Sequence, residues 1–311
     1  MPHNKNLQQL FDEYTNECRY SSRLSSETIK GYIAIFRLFI ALMPEVTTSQ
    51  FLTPEMLTEF FKRLQTRPRS VGKDTVVVGV KNSTIKTYWG KLNTFFVWLH
   101  WKNIILVNPL QGVKPPQPMY EDQKALPDDD TRKLYSAITL HAHSSLLLRR
   151  DTVMVSLLIF CGLRLGEFIS LEVPDIDFEK QLLTVRSNTS KSKKVRYIPI
   201  HPTLLFHLRD YVLERNKKGY KTHYLIVSAN SDKGLSRPGL KHWVKNLNAK
   251  SGVQFHLHQF RHAFACNLAR KDVNAVKIQK LLGHSSLNMT MTYLRSIGTE
   301  DLRDEISRLS I

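Results

Sequence analysis

Asn108-Pro109 and then Lys114-Pro115-Pro116-Gln117-Pro118 interrupt a chain otherwise patterned for helix. Each proline removes a backbone donor and pushes its predecessor toward extended conformation, so no helix crosses this stretch. Residues 112–124 therefore read as an interdomain linker between an N-terminal domain over 1–111 and a second domain over 125–311. A length of 311 residues, 42% of them hydrophobic, is enough for two domains that each bury a core.

Before the linker, helical spacing appears over 7–19, 26–43, 54–65 and 83–101. Ile29, Tyr32, Ile33, Phe36, Phe39 and Ile40 share one face of the second helix, which Ser25 or Ser26 can cap. Thr53 caps the third, with Pro54 at its first position. In the fourth, Ile85, Tyr88, Leu92, Phe95, Phe96 and Leu99 face inward, and Lys86, Lys91 and Lys102 lie off that face. Four short helices make a small helical domain. After the linker, Leu126-Pro127-Asp128-Asp129-Asp130 reads as a cap cluster before a helix at 129–140. Further helices are expected at 149–162, 164–171, 202–216, 237–250, 258–270, 274–282 and 287–294, with a short amphipathic one at 299–309. Residues 182–187 and 194–200 read as strands around a basic turn, 187–193. The fold class is mainly α with a small antiparallel β-sheet.

The formal net charge is +18, with 20 Lys+Arg in residues 1–150 and 25 in 151–311, so the surplus is no detachable tail. Such a balance favours a polyanion, nucleic acid before an acidic membrane surface. Cys18, Cys161 and Cys266 are odd in number and form no CxxC pair, which points to a reducing compartment. The N-terminus opens no secretory signal, and the apolar run from Thr152 to Leu163 is too short for a bilayer. A soluble, cytoplasmic protein is expected.

Three features of the second domain can carry chemistry. CGLRLGE (161–167) ends a hydrophobic helix at Gly162 and opens the next with Arg164, which Glu167 can orient from the same face. Alone, Arg164 reads equally well as a surface ion-pair residue. His258-Gln259-Phe260-Arg261-His262 places His258 and Arg261 on one side of a helix. A guanidinium fork suits phosphate oxygens, and histidine passes protons near neutrality. Alone, this is an amphipathic helix with exposed polar groups; a metal set of His256, His258, His262 and Cys266 lacks an HExxH or cysteine-pair frame. Leu281-Leu282-Gly283-His284 is followed nine residues after the histidine by Tyr293, which by itself reads as a packing tyrosine.

Taken together, in this order and at this spacing, these segments resemble the tyrosine recombinase, or phage integrase, family. CGLRLGE is similar to its first arginine motif, HQFRHAFA (258–265) to its His-x-x-Arg-His helix, and LLGHSSLNMTMTYLR (281–295) to its Leu-Gly-His…Tyr segment. SKSKKVRYIPI (190–200) resembles its lysine hairpin. The resemblance covers 126–295 well and the N-terminal part more loosely. It implies a helical core-binding (SAM-like) domain followed by the catalytic domain. It also implies a site-specific recombinase that cuts and rejoins DNA through a 3′-phosphotyrosyl intermediate and a Holliday junction. Tyr293 would be the nucleophile, Arg164 and Arg261 the phosphate clamp, Lys191 the general acid, His258 the proton carrier at the tyrosine, and His284 a hydrogen-bond partner of the phosphate. Lys193 and Lys194 share the turn with Lys191, which is chosen by its distance from Arg196 and Pro199. Phe260 and Ala263 depart from the family's usual leucine and threonine or serine.

No cofactor is implied: there is no Walker-type loop, and no carboxylate cluster suited to magnesium. Lys86, Lys91, Lys193, Lys194, Lys241 and Lys245 are candidate phosphate contacts on duplex DNA. By resemblance, the 299–309 helix would dock on a neighbouring protomer in a homo-tetramer on two DNA sites. A DNA-binding protein of the same fold without cleavage, and a type IB topoisomerase-like enzyme, are the alternatives. The target sequence, and the choice between a mobile element and chromosome dimer resolution, are not legible in the chain.

Overall fold

The computed structural model describes residues 5–72, 75–115, 126–190 and 193–294, with the side chains of 292–294 excepted. The chain divides into two compact units, Met1–Glu121 and Asp122–Ile311.

In the first unit, α1 (Leu7–Tyr20) opens on a capping box in which Asn6 and Gln9 satisfy each other's backbone N–H. Ser25 caps α2 (Ser26–Leu42), and Thr53 caps α3 (Pro54–Thr66) with Pro54 at its first position. α4 is Asn82–Trp101. The apolar faces of the four helices meet in an aromatic core where Phe11 stacks on Phe36 at 3.8 Å and Phe95 meets both rings edge-on. Between α3 and α4 the chain adds a hairpin absent from the sequence reading: β1 (Pro68–Val71) pairs antiparallel with β2 (Thr75–Val78). Val76 and Val78 are exposed there, so the run lacks the alternation that marks a half-buried strand.

The second unit is built around α6 (Ser145–Cys161), whose Val153–Leu158 stretch is wholly buried. α6 begins four residues before the expected start because the Ser144 hydroxyl accepts from Leu147 N. The arginine pair at 149–150, which looks like a boundary, lies inside the helix: Arg150 is buried against Asp151 and the Val227 carbonyl. α5 (Asp128–His141) carries its three aspartates in the first turn, facing the helix dipole; none of them is the cap, which is Pro127. α7 (Leu165–Ile169) follows Gly162, which takes a left-handed φ of 54°. β3 (Ile176–Asp177), β4 (Leu182–Val185) and β5 (Arg196–Pro199) form one antiparallel sheet in that order, with Leu183 opposite Ile198 and Val185 opposite Arg196. β4 and β5 are shorter than expected because the backbone turns at Arg186, whose carbonyl accepts from Ser190 N. α8 (Pro202–Lys217), α9 (Arg237–Ser251), α10 (Leu257–Arg270), α11 (Ala275–Leu282) and α12 (Leu287–Leu294) complete the unit. The expected helix at 299–309 lies outside the described residues. Among those described, no helix is long and apolar enough to cross a membrane.

Candidate active site

Gly162 ends α6 in a conformation that side chains disfavour, and this reversal delivers Arg164 to the start of α7. α10 presents His258 and Arg261 one turn apart, and Gly283, at φ 65°, ends α11 and delivers His284. Arg164, His258, Arg261 and His284 line one cavity of about 550 Å³, together with Lys241, His256 and Met289.

The last turn of α11 holds the arginines in place. Arg261, buried, donates from Nη1 to the Gly162 carbonyl at 2.6 Å and from Nη2 to the Leu282 carbonyl at 2.8 Å. Arg164 donates to the same Leu282 carbonyl at 3.4 Å and to the Gly283 carbonyl at 3.1 Å. Carbonyls at a helix C-terminus have no partner within the helix and carry its negative end, so cations stabilise them. A single helix terminus thus fixes both guanidinium groups.

Glu167, only 1% exposed, lies beneath them. It accepts from Arg164 N at 2.9 Å and from Arg164 Nη1 at 3.0 Å. It also accepts a two-pronged fork from Arg196, at 3.0 and 2.7 Å. Burial opposes the carboxylate, but the Arg196 fork and the Arg164 contacts outweigh it and hold the carboxyl below its ordinary range. Removing one partner of a buried ion pair costs about 3–5 kcal/mol. Arg196 was read in the sequence only as a marker of spacing. Its burial was legible from strand alternation: Arg196, Ile198 and Ile200 share a face, and the isoleucines need the core.

His284 Nδ1 lies 2.8 Å from the Thr290 hydroxyl on α12. Burial, then the charges of Arg261, Arg164 and Arg196, push the His284 pKa down to about 4. His258 is also lowered, by burial and then by Arg261 and its neighbouring histidines. Both shifts favour the neutral ring at pH 7.

α12 carries Tyr293 three residues after Thr290; the tyrosine side chain lies outside the described residues, as does Lys191. Lys193 has a left-handed φ of 53°, and Lys193 and Lys194 are both exposed. Of the other candidate lysines, Lys241 lines the cavity and Lys245 is exposed one turn on along α9. Lys86 and Lys91 lie on α4 of the first unit, Lys86 exposed and Lys91 half-buried. His262 and Cys266 pair with each other across 3.7 Å, and among the described residues no cluster of ligating side chains could hold a metal ion.

Residues 124–299 match the model of the phage integrase family. The chain belongs to the phage integrase family. Relatives of this integrase-family chain include a tyrosine recombinase of Thermosipho africanus, 29% identical over 97% of this chain and 98% of that protein. Tyrosine recombinase XerC of Alcanivorax borkumensis is 31% identical over 69% of each chain. Tyrosine recombinase XerA of Pyrococcus horikoshii is 34% identical over 60% of this chain and 62% of its own. Among solved structures, the Tn1549 transposon integrase in complex with circular intermediate DNA superposes with a TM-score of 0.74 at 20% identity, covering 98% of this chain and all of that one. A lambda integrase dimer bound to a core site gives 0.69 at 18%, covering 99% and 79%. These structures share the fold of this integrase-family chain: mostly helical, with small antiparallel sheets.

Proposed function

We propose that this member of the family recombines DNA at specific sites through a covalent bond between Tyr293 and a backbone phosphate. The observation that carries the reading is the convergence of Arg164, Arg261, His258 and His284 on one cavity, with Tyr293 on the helix that His284 contacts. The phenol oxygen attacks phosphorus and the bond to the 5′-oxygen breaks, leaving a 3′-phosphotyrosyl ester and a 5′-hydroxyl. The tyrosine's proton passes toward neutral His258, and Lys191 protonates the departing oxygen. A phenol of pKa about 10 needs such help at neutral pH. Arg164 and Arg261 bind the non-bridging oxygens and stabilise the charge that builds at five-coordinate phosphorus, while His284 adds a hydrogen bond. The ester conserves the energy of the broken bond, so rejoining a second strand through a Holliday junction needs no nucleotide cofactor.

Lys86, Lys91, Lys193, Lys194, Lys241 and Lys245 hold DNA by its phosphates, and a homo-tetramer on two sites exchanges the 299–309 tail between protomers. The substrate is the recombination site of a mobile element or of a chromosome dimer. The buried thiols of Cys18, Cys161 and Cys266, none of them in a disulfide, suit the cytoplasm.

The test is a nicked DNA site that traps the adduct. The wild-type chain is expected to give a covalent protein–DNA band on a denaturing gel, and Tyr293→Phe to bind the same DNA in a native gel without that band. An undiminished adduct from Tyr293→Phe refutes the assignment.

A further inference from the structure

β5 runs against its own hydropathy. Val195 and Tyr197 are 49% and 63% exposed, while Arg196 between them is 8% exposed. A strand that turns its charge inward does so for a partner, and Arg196 has two. Its fork spans both oxygens of Glu167, and its Nε donates to the Leu281 carbonyl at 2.9 Å. It is therefore the third guanidinium on the end of α11: Arg196 takes the Leu281 carbonyl, Arg261 that of Leu282, and Arg164 those of Leu282 and Gly283. The fit is close, since a Cβ at Gly283 would lie 3.0 Å from Arg196 Nη1.

The charges explain what this third arginine does. Arg164 and Arg196 share one buried carboxylate, and of the Arg164 guanidinium only Nη1 touches it. Because Arg196 occupies both oxygens, the Arg164 guanidinium keeps a single-point contact, and its side chain stays 21% exposed on the cavity. Without Arg196, Glu167 has Arg164, three residues along the chain, as its one remaining cationic partner among the described residues. The low surrounding dielectric then draws the Arg164 fork down onto the carboxylate and away from the cavity.

We propose that Arg196 is a positioning residue of the phosphate site: by saturating Glu167 it keeps the Arg164 guanidinium presented to the DNA phosphate and ties the sheet to the α11 terminus. The consequence for cleavage rests on the recombinase reading above; the consequence for Arg164 geometry does not.

The test uses the full chain with Arg196→Met, Arg196→Lys and the double change Glu167→Gln with Arg196→Met. Single-turnover adduct formation on the nicked site and native-gel affinity for the same DNA are measured at a temperature where each variant is folded. Arg196→Met is expected to slow cleavage about 100-fold, the scale of losing one oriented donor at a developing charge, with DNA affinity changed less than about threefold. The neutral pair is expected to recover at least about tenfold of that loss, because a glutamine no longer competes for the Arg164 charge. Lysine, which keeps the charge without the fork, is expected to fall between wild type and methionine, and it carries the test if the methionine variant does not fold. A purely structural role predicts a double variant no faster than Arg196→Met, and that outcome overturns the proposal. Crystal structures of Arg196→Met or Arg196→Lys decide the geometry independently: Arg164 is expected to pivot toward a two-pronged contact with Glu167, and an unmoved Arg164 overturns the proposal. If even the wild-type chain forms no adduct, the Tyr293 reading fails, and the crystal structures still decide the role of Arg196.

Discussion

Replacing Gly162 by alanine tests how tightly the α6 terminus and the arginine clamp are joined. Gly162 has φ 54°, and a Cβ there would meet Phe264 Cδ1 at 2.5 Å and a Leu282 methyl at 3.1 Å. The left-handed backbone costs a residue with a side chain about 1–2 kcal/mol, and overfilling a packed site costs about 1–3 kcal/mol. Together these give a loss of about 2–5 kcal/mol, which in a unit of this size lowers Tm by roughly 5–15 °C. The Gly162 carbonyl also holds Arg261 Nη1 at 2.6 Å, so a backbone shift away from Phe264 moves a clamp donor with it. Gly166, four residues on, is the control: its φ is not left-handed and nothing lies within 4 Å of its would-be Cβ. Gly166→Ala is expected to leave Tm unchanged or raise it by a few degrees, as a helical glycine costs about 0.5–1 kcal/mol relative to alanine. Calorimetry gives the first comparison, and adduct formation well below the Tm of Gly162→Ala gives the second, with a loss of about tenfold or more expected. Equal Tm values for the two variants, or a destabilised Gly162→Ala that cleaves at the wild-type rate, would refute the coupling of Arg261 to the α6 terminus.

His284 makes stability pH-dependent with a definite sign. Its folded pKa of about 4 lies below its ordinary 6.5, so its share of stability is complete above pH 6.5 and is lost as pH falls toward 4. The loss amounts to at most about 3 kcal/mol, read as a steeper pH dependence of urea unfolding in wild type than in His284→Gln. Lys241→Ala is expected to reduce by about 1 the slope of log affinity for DNA against log salt, since Lys241 lines the cavity; an unchanged slope removes it from the DNA contacts.

The helices with a clean 3.6-residue pattern and a recognisable cap were legible in the sequence to within a residue or two. Thr53 and Pro54 at the head of α3 are an example. The errors have local causes. At α6, the expected start at 149 falls four residues late, because sequence does not reveal that Asp151 and a carbonyl 77 residues away neutralise Arg150. At β2, four consecutive exposed residues gave no alternation to detect. The convergence of Arg164, Arg261, His258 and His284 was an expectation that the family resemblance carried where each motif singly did not. The support beneath them was half legible. Glu167 is one helical turn from Arg164 and could be named, whereas the third member, Arg196, arrives from a strand 29 residues away. Local spacing has no means of pairing residues at that distance.

On the proposed reading, a phosphate would meet the C-terminal end of α11, the wrong end of a helix for an anion. The sign is reversed because guanidinium groups cover the carbonyls of residues 281–283, and because the one carboxylate beneath them is shared. That arrangement has a thermodynamic consequence. The donors that bind the carbonyls are the arginines themselves, so folding of the α11 terminus and assembly of the proposed phosphate site are one event. Substitutions at Gly162, Glu167, Arg196 and Gly283 should therefore change stability and cleavage together. Apolar truncations in the Phe11–Phe36–Phe95 core belong to a separate compact unit and should change its stability while leaving the clamp geometry intact. The distinction follows from where the hydrogen bonds run: Arg164, Arg196 and Arg261 of the second unit satisfy its helix terminus, and the first unit's core contains none of them.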